Sequence, residues 1–252
     1  MLKIRALKED ELDLLFLSSH DAQLEVEELH LKCQHKVHPN DFFIAHKDNS
    51  IVGFIVAIRQ SDELGFISTF LVLKEFRAKG YGTLILDFAV EHLGNRQVVL
   101  DSILENTHIY TKAGFKSYFD LHTFLYITKK RRTNTQNIKF INYDECNSQN
   151  KQNQYLKCLL SNKDTNYKAI QTNNITTSYG ISFKHNDGYK IIIGSSNYEE
   201  TKAIFEELIK EFDEGISIYI EATKLNPIFL NLAKELEMIE YARFARMYNK
   251  VL

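Results

Sequence analysis

The chain has 252 residues, of which 44% are hydrophobic and 25% are charged, and its formal net charge is −2 at pH 7. This composition suits one large or two small globular domains, and it excludes the strongly basic surface of a typical nucleic-acid-binding protein. No apolar run approaches the roughly 18 residues of a membrane-spanning helix. The charged N-terminus, from Lys3 to Asp13, is unlike a secretory signal. We therefore expect neither a membrane nor a nucleic acid as a partner.

The charge distribution and the cysteine content indicate which partner charge and which cellular compartment to expect. Residues 1–128 contain 13 Lys and Arg against 18 Asp and Glu, a net charge of −5, and the remaining residues carry +3. An acidic first half mildly favours a basic partner, although a solvated surface explains it as well. The three cysteines, Cys33, Cys146 and Cys158, are odd in number and lack metal-site spacing. We expect buried or idle thiols in a cytoplasmic protein.

The first half alternates between strand and helix patterns. Strands are predicted at Leu2–Ala6, Phe42–His46, Ile51–Arg59, Phe66–Leu73, Val98–Ile103 and Phe115–Ile127, and helices begin at Asp10, Leu84 and Asn106. Residues 20–40 contain several His and Glu side chains, so a metal site is conceivable there. Such residues are far more often dispersed on a surface helix, and we predict no metal.

The stretch Phe70–Thr83 carries the clearest chemical signal. It starts as an apolar strand, passes through Gly80 and Gly82, and leads directly into the helix at Leu84. In such a turn the backbone N–H groups converge and the positive end of the helix dipole attracts an anion, which predicts a phosphate site. The glycines leave room for a ligand, and Arg77 adds a positive charge. The Gly-Lys-Ser/Thr ending of a P-loop and the third glycine of a dinucleotide site are both missing.

This stretch resembles motif A of the GCN5-related N-acetyltransferase (GNAT) superfamily, whose pattern is Arg/Gln-x-x-Gly-x-Gly/Ala. The matching segment is Arg77–Gly82, which begins five residues after Val72. The resemblance implies that acetyl-CoA is the co-substrate, that the loop holds its pyrophosphate, and that the preceding strand pairs with the pantetheine arm. The implied CoA-binding residues are Phe70, Leu71, Val72, Arg77, Ala78, Lys79, Gly80, Tyr81, Gly82, Thr83 and Asn106. The alternative is a plain core strand with an ordinary tight turn.

Tyr110 is the candidate general acid. It stands in Tyr-Thr-Lys-Ala-Gly-Phe, which resembles the family's Tyr-x-x-x-Gly-Phe, and the resemblance implies that its phenol protonates the leaving thiolate. A phenol with a pKa near 10 suits this role at neutral pH. Asn106 precedes Tyr110 by four residues, where the family usually has seven, so the intervening helix should be short. A partly buried core tyrosine is the alternative interpretation.

Asp101 is the candidate general base. It lies five residues before Asn106, where ribosomal-protein acetyltransferases have a glutamate base. An aspartate that bonds the backbone at a strand end explains it equally well. The fourth strand offers only Ser68 and Thr69 where many relatives have a glutamate, and a water chain ending at Asp62 or Glu63 is a further alternative.

The second half weakly repeats the first. Residues 129–137 form the predicted linker, and Asn226-Pro227 should open a helix as N-cap and first residue. The ending Arg243–Tyr248 resembles the close of a GNAT-like C-terminal domain. Where the phosphate loop should recur, the chain has Gly194–Glu200, in which Ser196 and Glu199 predict a capping box. We therefore expect this half to be catalytically silent.

The resemblance implies an α/β (α+β) fold of two tandem GNAT domains, each a mixed, mostly antiparallel sheet flanked by helices. The domains are expected at 1–128 and 138–252. The implied function is an acetyl-CoA-dependent N-acetyltransferase that acts on a primary amine of a small molecule or peptide. A catalytically weak CoA-binding or interaction protein and an O-acetyltransferase are the rivals. The oligomeric state is expected to be a monomer or a homodimer.

Overall fold

The computed structural model describes residues 1–129, 138–143 and 154–250. The chain divides into two compact units. The first unit comprises Met1–Asp120 and Phe244–Leu252, and the second comprises Leu121–Arg243. Most of the predicted linker, residues 130–137, lies outside the described residues, as does Cys146. The domain boundaries expected from the sequence remain a prediction.

The first unit is a mixed sheet with helices on both faces. Its strands are β1 (Leu2–Ala6), β2 (Phe42–Lys47), β3 (Ser50–Arg59), β4 (Leu64–Val72) and β5 (Gln97–Ile103), and its helices are α1 (Leu12–Asp21), α2 (Glu28–Val37), α3 (Tyr81–Leu93) and α4 (Thr107–Lys112). Strands β1 to β4 are antiparallel neighbours, and β5 runs parallel to β4. This is the mixed, mostly antiparallel sheet that the sequence predicts.

Two apolar layers fix the helices on this sheet. On one face, Ile85 and Ala89 of α3 pack in a fully buried cluster with Ile55 of β3 and Leu100 of β5. On the other face, α1 and α2 cover a second cluster that includes the buried Leu71 of β4. Each fully buried aliphatic side chain contributes roughly 1.5–3 kcal/mol, so α3 is held firmly beside the end of β4.

The far end of α3 is fixed by a buried carboxylate. Asp41 is 3% exposed and accepts hydrogen bonds from the Arg59 side chain at 2.9 Å and from His92 of α3 at 2.8 Å. Burial alone raises the pKa of Asp41, but hydrogen bonds from Arg59 and His92 outweigh it and leave the pKa below its ordinary value. Helix α3 is therefore anchored at its C-terminal end as well.

The second unit repeats the arrangement. Its elements are β6 (Lys116–Ile127), β7 (Phe140–Ile141), α5 (Gln154–Leu160), β8 (Asn166–Thr172), β9 (Ile175–His185), β10 (Gly188–Gly194), α6 (Tyr198–Ile209), β11 (Ser217–Thr223), α7 (Pro227–Glu235) and β12 (Ile239–Tyr248). The sheet order is β6-β11-β10-β9-β8-β7. Helices α6 and α7 bury one face of this sheet in an apolar cluster around Phe205 and Leu232.

Each unit takes a strand from the other half of the chain. Phe244–Tyr248 of β12 pairs antiparallel with β5 in the first unit, and residues 121–127 of β6 pair with β11 in the second. Ala245 and Met247 are buried in the core around α3. Each of these two strands therefore completes the sheet of the opposite half of the chain.

Two local expectations are wrong. The N-cap of α6 is Asn197, whose side chain accepts a hydrogen bond from the Glu200 N–H at 3.0 Å, so Ser196 and Glu199 do not form the predicted capping box. Cys33 and Cys158 are disulfide-bonded, so the expectation of idle thiols fails for both. The cap of α7 is confirmed, because Asn226 accepts from Ile228 N–H and Pro227 is the first helical residue. In the described part of the chain, no helix is long and apolar enough to cross a membrane.

Candidate active site

A cleft opens where β4 and β5 separate. The two parallel strands pair only from Leu64–Gln97 to Ile67–Leu100. β4 also carries a bulge at this point, because two residues, Ser68 and Thr69, stand opposite Val56 of β3. Beyond it, the backbone of Phe70–Val72 keeps its ladder with β3 but has none with β5. The separated edge therefore offers backbone donors and acceptors to an extended ligand.

The loop after β4 forms a concave set of backbone donors. Ala78 and Gly80 both have left-handed backbone conformations, with φ of +58° and +80°. Gly80 is the N-cap of α3, and no side chain caps this end of the helix. Among the described residues, none accepts a hydrogen bond from the backbone N–H groups of residues 78–83. Successive backbone N–H groups in a turn of this kind point toward one place, which makes a nest for an anion.

Cationic side chains surround this nest. The exposed Arg77 donates from Nε to the Val72 carbonyl at 2.9 Å, which ties the loop to the end of β4. Lys79 Nζ donates to the Glu75 carbonyl at 2.7 Å. Lys47, at the end of β2, lies with its Nζ 5.6 Å from the centre of the Tyr81 ring in the first turn of α3. The cations and the helix N-terminus together favour a polyanionic ligand.

The floor between the loop and the cleft is apolar. A Cβ built on Gly82 would lie 3.5 Å from Val72 Cγ2 and 3.7 Å from Phe70 Cζ, which is ordinary contact distance. The absence of a side chain at Gly82 is therefore not demanded by the fold, and it leaves the first turn of α3 open. Thr83 is exposed in the same turn. Leu71 points to the opposite face and is buried against α1 and α2, so its side chain lies away from the cleft.

Tyr110 lies beside this floor. Its ring packs edge to face against Phe70, at 6.4 Å between centroids, and against Phe115, at 6.3 Å. Burial raises the pKa of Tyr110 above its ordinary value, so the phenol keeps its proton at neutral pH. No described residue forms a hydrogen bond with the Tyr110 hydroxyl. The structure therefore places a protonated donor next to the Phe70 end of the cleft.

Asn106 lies at the start of a short helix, as predicted. It precedes α4, which has only six residues, and its side chain forms no capping hydrogen bond. The residue is exposed, so its amide remains available to a ligand.

Asp101 is the first residue of β5 beyond the segment that pairs with β4, and its carboxylate already forms hydrogen bonds within the protein. Its two carboxylate oxygens accept hydrogen bonds from Nε and Nη2 of Arg246 in β12, each at 2.7 Å. The Arg246 guanidinium lies 5.7 Å from the Phe66 ring and 5.9 Å from the Phe119 ring. Sequence reasoning identified Asp101 but missed Arg246. The strand register, in which these two residues are direct partners, is what brings them together.

The second unit has a similar pair of separating strands but a different turn. β10 and β11 pair in parallel only at Tyr189–Ile218 and Lys190–Tyr219. At the following turn, the buried Ser178 hydroxyl bonds the Glu200 carboxylate and lies 2.7 Å from Ser195 Oγ. Glu200 and the cap at Asn197 thus bring a negative charge and a bonded donor to the N-terminus of α6. This arrangement opposes a phosphate.

No metal centre is evident in this part of the molecule. Within residues 1–129, 138–143 and 154–250, no group of three or more His, Cys, Asp or Glu side chains is placed to hold a metal ion. The His and Glu residues of the 20–40 region do not converge on such a site.

Comparison with known families matches the region just described. Residues 38–117 match the family model of the acetyltransferase (GNAT) domain. This segment runs from the end of α2 to the start of β6 and includes the cleft, the loop and Tyr110. No curated protein matches the sequence.

Solved structures match the whole fold. A proposed acetyltransferase from Pyrococcus horikoshii superposes with a TM-score of 0.77 at 13% identity, covering 100% of this chain and 90% of that one. A tandem GNAT protein from the clavulanic acid biosynthesis pathway has a TM-score of 0.70 at 9% identity, covering 98% of both chains. A GCN5-related N-acetyltransferase from Sphaerobacter thermophilus has a TM-score of 0.65 at 9% identity, covering 98% of this chain and 95% of that one. At such identities, the likeness establishes the fold.

Proposed function

Because residues 38–117 match the family model of the GNAT acetyltransferase domain and the whole chain has the fold of solved GNAT proteins, we propose that the chain is an acetyl-CoA-dependent N-acetyltransferase with its active site in the first unit. The acceptor we propose is a primary amine of a small molecule or peptide. The observation that carries the proposal is the run of unclaimed backbone N–H groups at residues 78–83, at the end of a strand whose edge is also unpaired.

Acetyl-CoA fits this arrangement in charge and in shape. A pyrophosphate at the nest would accept from backbone N–H groups and lie near Arg77, and the dipole of α3 adds to this attraction. The amide-containing pantetheine arm would pair with the edge of Phe70–Val72 that β5 leaves open, as an added strand does, while the Val72 carbonyl stays bonded to Arg77 Nε. The thioester would then point toward the apex of the cleft, where β4 and β5 meet.

Tyr110 supplies the proton in the proposed reaction. The nitrogen of the neutral amine attacks the thioester carbonyl carbon, a C–N bond forms, and the C–S bond breaks. The departing thiolate takes the phenolic proton of Tyr110, whose raised pKa keeps it protonated until that moment. The amide product finally loses a proton from nitrogen to a base or to water.

Asp101 remains our proposed base, and its surroundings limit how it can act. The fork from Arg246 uses one lone pair on each carboxylate oxygen. A second lone pair on each oxygen is left to accept the amine proton, directly or through water.

A CoA-binding protein without transferase activity is the rival function. The engaged carboxylate of Asp101 and the six-residue α4 favour it, because both depart from the equipment that an efficient transferase needs. We propose the transferase because the Tyr110 ring packs against Phe70 at the cleft and its raised pKa keeps the phenol protonated, as a general acid requires.

Two measurements separate these functions. Calorimetry with acetyl-CoA should give one site per chain, since the turn of the second unit opposes a phosphate. A thiol-release assay with spermidine, lysine, glucosamine and a short peptide should show at least one amine that accelerates release above the acetyl-CoA hydrolysis rate. Binding without any acceleration would favour the rival function, and the absence of binding would refute both.

The remaining expectations are proposals too. We propose a monomer or a homodimer, which sedimentation velocity would decide. We also propose a cytoplasmic location, but the disulfide-bonded Cys33 and Cys158 oppose a reducing compartment. Fractionation of cells that express the native protein tests this point.

A further inference from the structure

We infer that Arg246, a residue of the last strand of the chain, positions Asp101 for contact with the acceptor amine in the first unit. The inference rests on the proposed function, because it assigns a role in the same transfer reaction. It also explains why the first unit recruits the segment Phe244–Tyr248: that strand brings a functional side chain as well as two core residues.

The position of the pair supports this role. Ile67 and Leu100 form the last paired position between β4 and β5, so Asp101 is the first residue of β5 past the apex of the cleft. Leu100 is buried on the α3 face, and side chains alternate along a strand. Asp101 therefore projects on the opposite face, which Phe66 and Arg246 share. About a fifth of its side-chain surface is exposed, so a small ligand can reach it.

The geometry of the pair is more restrictive than a simple charge contact. Two parallel hydrogen bonds of 2.7 Å fix the plane of the carboxylate relative to the guanidinium. The guanidinium in turn lies 5.7 Å from the centre of the Phe66 ring and 5.9 Å from that of Phe119, within cation–π range of both. The remaining lone pairs of Asp101 therefore have a defined direction. Orientation of this kind matters because a misplacement of about 1 Å costs roughly 100-fold in rate.

A lysine at this position would keep the charge but lose the fork. Lys has a single ammonium group on a flexible stem and cannot bond both oxygens in one plane. We therefore expect Arg246→Lys to lower kcat/KM for the acceptor by roughly 10-fold or more, as expected when a reacting group is misplaced. The KM for acetyl-CoA should stay within about twofold, because the substitution leaves the nest and the Phe70–Val72 segment unchanged.

The matched control is Arg243→Lys. Arg243 lies three residues earlier on the same strand and forms a similar contact with a carboxylate, donating to Glu240 at 2.8 Å. It belongs to the second unit. The same substitution there should leave the kinetics of both substrates unchanged.

A double-mutant cycle decides whether Arg246 acts through Asp101. The assay is thiol release from acetyl-CoA with the best amine of the panel named above. If Arg246 serves only to orient Asp101, Arg246→Lys should have no further effect in the Asp101→Asn background. A purely structural role predicts that the two losses multiply and that the melting temperature falls.

The outcomes are separable from those of the proposed function. Should wild type transfer acetyl groups while Arg246→Lys behaves like Arg243→Lys, the inference is wrong and the transferase assignment stands. Multiplying losses in the double mutant would overturn it as well. If wild type accelerates thiol release with no amine of the panel, the transferase assignment fails and takes this inference with it.

Discussion

The two units contain the same strand–turn–helix arrangement, but the N-terminus of the helix differs between them. In each, a pair of parallel strands separates after a few residues and the first of them leads through a turn into a helix. In the first unit, the turn passes through left-handed Ala78 and Gly80, and the donors of α3 remain unclaimed. In the second, the Asn197 side chain caps the N-terminus of α6, and the Glu200 carboxylate, bonded by Ser178, adds a negative charge there. The same scaffold therefore presents an anion nest in one place and a satisfied, acidic helix end in the other.

This comparison indicates that the fold itself does not require the nest. The N-terminus of α6 is capped, and the nearby Ser178 and Ser195 hydroxyls are hydrogen-bonded. Stability alone favours this arrangement. The α3 end has no cap and tolerates a left-handed alanine, which costs free energy. We infer that the first unit retains these unfavourable features because a ligand compensates for them.

The largest expected effect comes from removing the second half. Residues 1–130 alone lack Ala245 and Met247, which are 3% and 0% exposed in the core around α3. Without β12, the edge of β5 with which it pairs is also left open, and an open strand edge promotes aggregation. We expect this fragment to be insoluble or to lose most of its acceptor turnover, as judged by gel filtration and the thiol-release assay.

A rejoined fragment tests the reason. Residues 1–120 joined by a flexible Gly-Ser linker to residues 244–252 restore the missing strand without the second unit, and this chain should be soluble and bind acetyl-CoA. A fully active, monomeric 1–130 fragment would show instead that the second half is only a tethered module.

The next effect concerns the nest itself. Gly82→Glu places a carboxylate in the first turn of α3, at the position that Glu199 occupies in α6. The added Cβ meets only ordinary contacts, and an acidic residue suits a helix N-terminus, so the fold should remain stable. Acetyl-CoA affinity should fall roughly 100-fold or more, because like charges brought together cost several kcal/mol.

The reciprocal variant is the control. Glu199→Gly should not create a second CoA site, since Glu200 and Asn197 still occupy that end of α6. Calorimetry of both variants, with circular dichroism to check folding, decides the matter. A Gly82→Glu protein that still binds one full equivalent would mean that the second unit holds the CoA.

Tyr110→Phe should have a smaller but clear effect on rate. Loss of a proton donor typically lowers kcat by roughly 10²–10⁴-fold, while the dissociation constant of acetyl-CoA should not change. Since the acid must carry its proton, wild-type activity should decline as pH rises through the raised pKa of Tyr110, and the variant should lack this decline. Steady-state rates from neutral pH up to the highest pH at which the protein stays folded measure both.

Tyr198→Phe in the second unit serves as the control for this variant. It also removes a phenol, here one that bonds Glu235 and whose pKa is raised to about 12 by burial and by that carboxylate. Its kinetics should match wild type. An unchanged rate for Tyr110→Phe would reduce Tyr110 to a packing residue.

Sequence patterns predicted the local elements and the nest well, because both depend on neighbouring residues. The strand, glycine turn and helix around Gly80 and Gly82 follow one another as the spacing indicated, but α3 begins at Tyr81 and not at the predicted Leu84. The short α4 follows from the four-residue interval between Asn106 and Tyr110. What could not be predicted is the left-handed conformation of Ala78, because alanine rarely adopts it.

Long-range pairing was the harder part. Asp101 and Arg246 are 145 positions apart, and only the register of β12 against β5 makes them partners. No local periodicity encodes that register.

The capping of α6 was mispredicted for a simpler reason. Ser196 and Asn197 are both good N-caps, and the three-residue interval to a glutamate fits either one, with Glu199 or with Glu200.

The smallest effect tests whether the second unit's helix end is only a stability device. Asn197→Ala removes the hydrogen bond to the Glu200 N–H and should lower the free energy of unfolding by about 1 kcal/mol, the usual cost of losing an N-cap. Urea denaturation measures this cost, provided that both units unfold in one transition. Acetyl-CoA stoichiometry should stay at one per chain, because the bond between Ser178 and Glu200 keeps a negative charge at that end. If freeing the donor were to create a second, weaker site, the two units would differ by a single cap, and the second would be a masked binding site instead of a silent scaffold.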